Sequence, residues 1–211
     1  MTYELCNIND YSDAQYDAMY RAAAPDRQAR ADRFRHEDDR KRCLCADALA
    51  RNMLADAAGV TPHEISFTYE DKGKPHANLP LHFNISHSGE WALCAVSDAP
   101  VGADIEQVKP FRAGMVARYF TAAEAAYIWD GKPVSGNSPV PEGNVTDPDV
   151  CARFYRVWTA KEAYVKMTGT GISTDLSAVQ YDPAAQTVCG MELYTPNAPE
   201  GYVISIVKSD L

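Results

Sequence analysis

Apolar and polar positions alternate across Thr2–Ile8, which predicts a short strand. Ser12–Ala24 has helical character, and Pro25 suits the first turn of a following helix. Across His36–Ala58 the apolar period becomes helical. Ala46, Leu49, Ala50, Met53 and Ala57 form one stripe, Arg42 lies one turn ahead of it, and Gly59 is a suitable stop. Ile65–Glu70 reads as a strand, Asp71-Lys72-Gly73-Lys74-Pro75 as a turn, and Phe83–Ser86 and Trp91–Ser97 as strands around His87-Ser88-Gly89-Glu90. Val101–Val108 follows as another strand.

The second half repeats this shape. Phe111–Phe120 is predicted helical, and Thr121-Ala122-Ala123-Glu124 is a capping box opening a further helix. Gly131–Pro148 is rich in Pro and Gly and predicts a long irregular, mobile loop and a candidate partner-contact region. Asp149 is expected to cap a helix that runs to Thr168 and stops at Gly169. Its core stripe is Val150, Phe154, Val157, Trp158, Val165 and Thr168, and Lys161 falls within that stripe, an unusual place for a lysine. Val179–Tyr181, Thr187–Leu193 and Tyr202–Val207 are predicted strands. Each half thus offers one long helix and about three strands. The fold class expected is α+β: two related halves, 1–99 and 100–211, joined near Asp98-Ala99-Pro100, each with a long helix on a small, mostly antiparallel sheet.

Composition narrows the function classes. The chain has 211 residues and 46% apolar content, enough for a core without staples. No run of 18 apolar residues exists, and the N-terminus lacks a basic region followed by an apolar one. A cytoplasmic protein with no membrane partner is expected. The six cysteines show no CxxC pair and read as buried thiols. The net charge of −9 argues against a general nucleic-acid binder. Charge is nonetheless uneven: Arg21–Arg42 carries +3, the remainder −12.

Candidate chemistry sits in a few places. In Asp104-Ile105-Glu106 the two carboxylates, at i and i+2 of a strand, point to one side and Ile105 to the other. Such a pair suits a hard cation such as magnesium; the alternative is a solvated strand face. Glu162 and Lys166 lie at i and i+4 of the long helix. They are either a surface ion pair or a third carboxylate with a phosphate-holding lysine. Asn84-Ile85-Ser86-His87-Ser88-Gly89 has no G-x-S-x-G elbow, which disfavours a hydrolase. Ser86 and His87 can instead offer donors to a phosphate. Pro75 keeps Lys74 extended, so this lysine can aim at a fixed anion or be a solvated turn residue.

Taken in order, Gly73-Lys74-Pro75, Phe83-Asn84-Ile85-Ser86-His87-Ser88-Gly89, Val101-Gly102-Ala103-Asp104-Ile105-Glu106 and Trp158-Thr159-Ala160-Lys161-Glu162-Ala163-Tyr164-Val165-Lys166 resemble the 4′-phosphopantetheinyl transferase superfamily. The length is similar to its long pseudodimeric type, the surfactin-synthetase-activating kind. Arg33-Phe34-Arg35-His36 and Arg42 also resemble that family. The resemblance implies a pseudodimer with its active site between the halves. It implies transfer of phosphopantetheine from coenzyme A to a serine of an apo acyl or peptidyl carrier protein, with release of 3′,5′-ADP. It further implies a monomer and magnesium, with manganese an alternative. Carried over to this chain, Asp104, Glu106 and Glu162 would be metal ligands. Arg27, Arg30, Arg42, Lys74, Pro75, Ser86, His87 and Lys166 would bind the coenzyme, and Glu162 and Lys166 would be catalytic. Either Glu162 or a water on the metal would take the serine proton, with Glu162 favoured. Two features depart from the family pattern: arginines at 27 and 30 where lysines are frequent, and a thiol at Cys43 where a hydroxyl is frequent. The competing expectation is a non-catalytic coenzyme A-binding module on the same scaffold. A third, an acidic interaction protein, leaves Gly73-Lys74-Pro75 and the basic stretch unexplained.

Overall fold

The computed structural model describes residues 1–69, 73–130, 143–171 and 175–209. The elements run β1 (Thr2–Asn7), α1 (Asp13–Ala22), α2 (Pro25–Ala31), α3 (Glu37–Ala58), β2 (Phe67–Tyr69), β3 (Pro75–Ala77), β4 (His82–Ser88) and β5 (Trp91–Ser97). The second half continues with β6 (Val101–Gln107), β7 (Phe111–Arg112), α4 (Gly114–Tyr119), α5 (Ala122–Ile128), β8 (Asn144–Val145) and α6 (Pro148–Thr168). It ends with β9 (Tyr181–Asp182), β10 (Thr187–Val188), β11 (Met191–Tyr194) and β12 (Tyr202–Lys208). Two antiparallel sheets carry the fold: β1-β5-β4, and β6-β12-β11-β10-β9. With α3 on the first and α6 on the second, the molecule is the α+β pseudodimer expected.

β5 is buried on both faces. Ala92, Cys94 and Val96 pack beneath α3, against Cys45, Leu49 and Met53. Leu93 and Ala95 turn the other way and pack with Val101, Ala103 and Ile105 of β6 and Ile204 and Ile206 of β12. An aromatic cluster around Phe111, Phe120 and Phe154 supports one part of α6; Ala160, Ala163, Val165 and Met167 pack against Val179, Val188, Leu193 and Val207 at the other. So α6 is buried on more than one side in its second half.

Between β4 and β6, edge strands of different sheets, side chains replace the backbone ladder. They are spaced every second residue on one face of β4. Asn84 Oδ1 accepts the Ala103 N–H at 3.0 Å, Ser86 Oγ donates to Asp104 Oδ1 at 2.8 Å, and Ser88 Oγ donates to Glu106 Oε2 at 2.6 Å. The Gln107 N–H closes the seam on Ser88 Oγ at 3.1 Å.

Gly102 sets the approach of α6 to β6. A Cβ there would run into the Ala163 carbonyl and the Met167 backbone nitrogen, so no side chain fits between helix and strand. Asp104 and Glu106 share that face of β6 with Gly102, which brings α6 beside both.

Several sequence expectations change. The stripe of α3 ends before Ala57, which is exposed, and Thr168 at the end of α6 is also exposed. Asp147, not Asp149, caps α6, because its side chain accepts the Asp149 and Val150 N–H groups while Pro148 takes the first helical position. Phe111–Phe120 begins as strand β7 and only then becomes helical. The strand from Phe83 runs to Ser88, so the turn is Gly89-Glu90. Thr187–Leu193 divides at Cys189 and Gly190, both at positive φ (49° and 76°). Cys189 is exposed there, unlike the other five cysteines. Within Gly131–Pro148, Asn144–Val145 pairs with β7; residues 131–142 lie outside the described residues, as do Asp71 and Lys72 of the expected turn and Glu70. Among the described residues no helix is long and apolar enough to cross a membrane.

Candidate functional site

A cavity of about 590 Å³ opens between the halves. β6 supplies Asp104 and Glu106; α6 supplies Trp158, Glu162, Val165 and Lys166. The first half supplies Arg27 and Arg30 from α2, Cys43 and Ala46 from α3, Lys74 and Pro75, and Asn84 to His87 from β4. Arg42, expected at the same site, is not among the lining residues. It donates to the Gly89 carbonyl and, at 2.6 Å, to Asp39 Oδ1.

The carboxylates are buried to half-buried and closely spaced with Lys166. Asp104 is buried, and its Oδ1 receives Lys166 Nζ at 2.6 Å and Ser86 Oγ at 2.8 Å. Lys166 Nζ also donates to Ser86 Oγ at 2.9 Å. Lys166 is therefore paired to Asp104 of β6, and to Ser86 across the seam, rather than closing a surface pair with Glu162. Burial raises the Glu162 carboxyl above its ordinary value, and the Asp104 charge adds to this. Burial likewise raises Glu106, against the opposing hydrogen bond from Ser88.

The first half's contribution is largely cationic. Arg27 is anchored by Nε to Asp47 Oδ1 at 3.1 Å and by Nη2 to the Tyr69 hydroxyl at 2.9 Å, yet it reaches the cavity. Its Nη1 meets Cys43 Sγ at 3.7 Å, so the thiol accepts rather than donates. Lys74 lines the cavity and donates to the Met167 carbonyl at the C-terminal end of α6, at 2.7 Å. The His87 imidazole is held below the ordinary histidine value. Desolvation is the leading cause, followed by the charges of Lys166, Arg42 and Arg30.

These residues suit a divalent cation by donor chemistry. Asp104 Oδ2 is buried with no hydrogen-bond partner, an orphaned anionic oxygen on the wall shared with Glu106 and Glu162. All three groups offer hard oxygen donors. Among the described residues, however, no three acidic, histidine or cysteine side chains are already gathered as a ligand cluster. Lys166 supplies the nearest positive charge at Asp104. The cavity can therefore accept a polyanion, with cations drawn largely from the first half and carboxylates able to take a metal from the second.

Sequence reasoning quoted Gly102 within its motif but gave it no role; its bare Cα lets α6 approach. An isolated glycine in an apolar strand was the available signal. It also missed Ser88 and Asn84 as seam residues, though their period of two with Ser86 matches the alternation of a strand.

Comparisons with known proteins agree with this architecture. Residues 100–207 match the model described as the 4′-phosphopantetheinyl transferase superfamily, and residues 10–99 match that of a 4′-phosphopantetheinyl transferase N-terminal region. A 4′-phosphopantetheinyl transferase of Bacillus subtilis is 36% identical over 169 residues, covering 79% of this chain and 69% of the relative. The 4′-phosphopantetheinyl transferase psf-1 of Bacillus pumilus is 36% identical over 155 residues, 72% of this chain and 60% of its own. The 4′-phosphopantetheinyl transferase Sfp of Bacillus subtilis is 32% identical over 157 residues, 74% and 64%. The matches thus span about two thirds of those relatives' lengths. On both family models and this level of identity, the chain belongs to the 4′-phosphopantetheinyl transferase superfamily.

Proposed function

We propose that this chain transfers the 4′-phosphopantetheine group of coenzyme A to a serine of an apo acyl or peptidyl carrier protein and releases 3′,5′-ADP. The observation that carries the reading is one cavity to which the two halves bring groups of opposite charge. The second half brings Asp104, Glu106 and Glu162 with Lys166, and the first half brings Arg27, Arg30, Lys74 and His87. Residues 1–99 then hold the nucleotide end, and residues 100–211 provide the reaction centre.

The reaction forms a bond from the serine oxygen to the β-phosphorus and breaks the bond to the 3′,5′-ADP oxygen. Charge spreads over phosphoryl oxygens, so the protein's work is positioning and neutralisation. Arg27, Arg30 and His87, with Arg42 at the margin, hold the 3′-phosphate. Lys74 and Ser86 fix the coenzyme's phosphates, and Pro75 keeps Lys74 extended. Lys166 leaves Asp104 to meet the pyrophosphate. Glu162 accepts the serine proton; its partly desolvated carboxylate is more basic than one in water. Asp104, Glu106 and Glu162 would hold magnesium or manganese, which when bound neutralises pyrophosphate oxygens.

The test is incubation with coenzyme A, magnesium and a panel of apo carrier proteins, followed by intact-mass spectrometry. A phosphopantetheine adduct is expected. Bound coenzyme with no adduct on any carrier would favour a non-catalytic coenzyme-binding module. Glu162→Gln should abolish transfer; kcat within a few-fold of the parent would remove Glu162 as the base.

A further inference from the structure

Lys161 is a charged residue of α6 that the proposed chemistry leaves unused. It is fully buried, as is its partner Glu124 of α5. A buried lysine is costly unless every donor is satisfied. Here Lys161 Nζ donates to Glu124 Oε2 at 2.6 Å and to the carbonyls of Tyr119 and Leu176, each at 3.0 Å. The Phe120 ring lies 4.9 Å from the ammonium. Glu124 is equally engaged: Oε2 also accepts the Thr121 N–H at 2.7 Å, and Oε1 accepts the Tyr181 N–H at 2.7 Å.

One ion pair therefore ties α6 to the end of α4, the start of α5, the short 3₁₀ turn at Leu176–Ala178 and strand β9. No residue of α4, α5, that turn or β9 lines the cavity. Yet the residue after Lys161 is Glu162, about 100° further round the helix, which does line it. Apolar side chains of similar volume would fill the same space without the desolvation penalty. A buried ion pair is weak evidence for stability, and its best-attested use is fixing register. Three acceptors from separate segments define one position for the ammonium. An apolar contact would let α6 rotate or slide.

We infer that Lys161 and Glu124 form a positioning pair that fixes the rotation and axial register of α6, so that Glu162 and Lys166 meet Asp104 and Glu106. The inference rests on the transferase reading for its link to kcat, but not for its link to cation binding. Gly102 complements the pair: it sets how near α6 lies to β6, and the pair sets which face α6 turns.

The double variant Lys161→Met/Glu124→Gln removes both buried charges and keeps the volume. Three quantities are measured: thermal midpoint, manganese affinity by electron paramagnetic resonance with coenzyme A present, and steady-state transfer. The expected result is a folded protein with kcat at least about 30-fold lower, KM for coenzyme A within about threefold, and manganese affinity at least about tenfold weaker. A folded double variant with kcat and manganese affinity unchanged would overturn the inference and leave the pair a stabilising contact. If the double variant does not fold, Glu124→Asp alone decides, since it keeps both charges of the buried pair and shortens one arm of it. It should weaken manganese binding and lower kcat by about fivefold or more without a matching fall in midpoint, and unchanged values would overturn the inference. If the parent modifies no carrier, the transferase reading fails, while the change in manganese affinity still tests the positioning pair.

Discussion

The long helices α3 and α6 each carry a buried ionic cluster, and the two are built to opposite ends. On α3, Asp47 takes Arg27 Nε at 3.1 Å and Arg51 Nε at 2.7 Å, so one carboxylate serves two guanidinium groups. The cluster keeps a surplus positive charge, and Arg27 delivers it to the cavity wall. On α6, Lys161 and Glu124 cancel one for one and are wholly sealed. The second half adds no buried cation to the cavity, and its contribution there is the carboxylate group with Lys166. Each half of the pseudodimer thus neutralises its interior differently and presents a different sign. That division suits a ligand carrying phosphates at one end and needing a metal at the other.

The comparison breaks most completely if α6 is pushed away from its sheet. Gly102→Val places a side chain against the backbone of Ala163 and Met167, which cannot yield as a flexible side chain would. A shift of about 1 Å at the reacting groups can cost about 100-fold in rate. Transfer should fall by at least that much, and the overpacking should lower stability by roughly 1–3 kcal/mol. Thermal denaturation and the carrier-protein assay measure both. A folded variant with near-parental transfer would mean that the α6–β6 approach is not what brings Glu162 to Asp104.

The next effect tests the first half. Arg27→Ala leaves Asp47 buried with Arg51 alone. Removing one partner of a buried pair costs roughly 3–5 kcal/mol, and the remaining arginine should keep the loss below that range. Urea unfolding should show it, and the KM for coenzyme A should rise at least severalfold. Arg27→Lys should recover part of the stability but less of the affinity, because lysine lacks the fork that reaches Asp47 and Tyr69 together. If Arg27→Ala left coenzyme affinity unchanged, Arg27 would be structural, and the contrast in sign between the halves would rest on Arg30 and Lys74.

A smaller effect separates Lys166 from the metal ligands. In the free protein its ammonium neutralises Asp104, so a cation must compete with it. Lys166 is 29% exposed, which limits the pair to about 1 kcal/mol after screening. Lys166→Met should therefore bind manganese about fivefold more tightly without coenzyme, even as transfer drops. Weaker manganese binding in that variant would show that Lys166 orders the carboxylates rather than competing for them.

These contacts also mark how far the sequence could be read. The alternation of Val101–Gln107 is enough to turn Asp104 and Glu106 together, because strand periodicity is local. The helical stripes place Glu162 and Lys166 on α6 for the same reason. The partner of Lys166 was not legible: spacing offered Glu162 four residues away, whereas Asp104 is 62 residues away in sequence. Lys161 was conspicuous in an apolar stripe, but Glu124 looked already spent in a capping box, and its carboxylate in fact serves both. Nor did spacing show that Arg42 pairs with Asp39 and the Gly89 carbonyl, outside the cavity lining. Local periodicity told which way side chains point; it did not reveal which of them meet between elements distant in sequence.

The smallest effect concerns the first half's cationic groups, and its sign follows from His87. Desolvation and the neighbouring Lys166, Arg42 and Arg30 hold the free imidazole below its usual value, so it is neutral at neutral pH. A bound phosphate opposes those charges and favours the protonated ring, raising its pKa in the complex. Binding then takes up a proton between the two values. Affinity for 3′,5′-ADP should increase as pH falls through the bound-state value and level off below the free-state value. Each unit of separation is worth at most about tenfold. The phosphate of the ligand titrates nearby, so the measurement is the difference between the parent and His87→Ala in calorimetry from pH 8 to pH 5.5. A parent profile parallel to that of His87→Ala would place the imidazole outside the phosphate site, leaving Arg27 and Arg30 as the recognition groups of the first half.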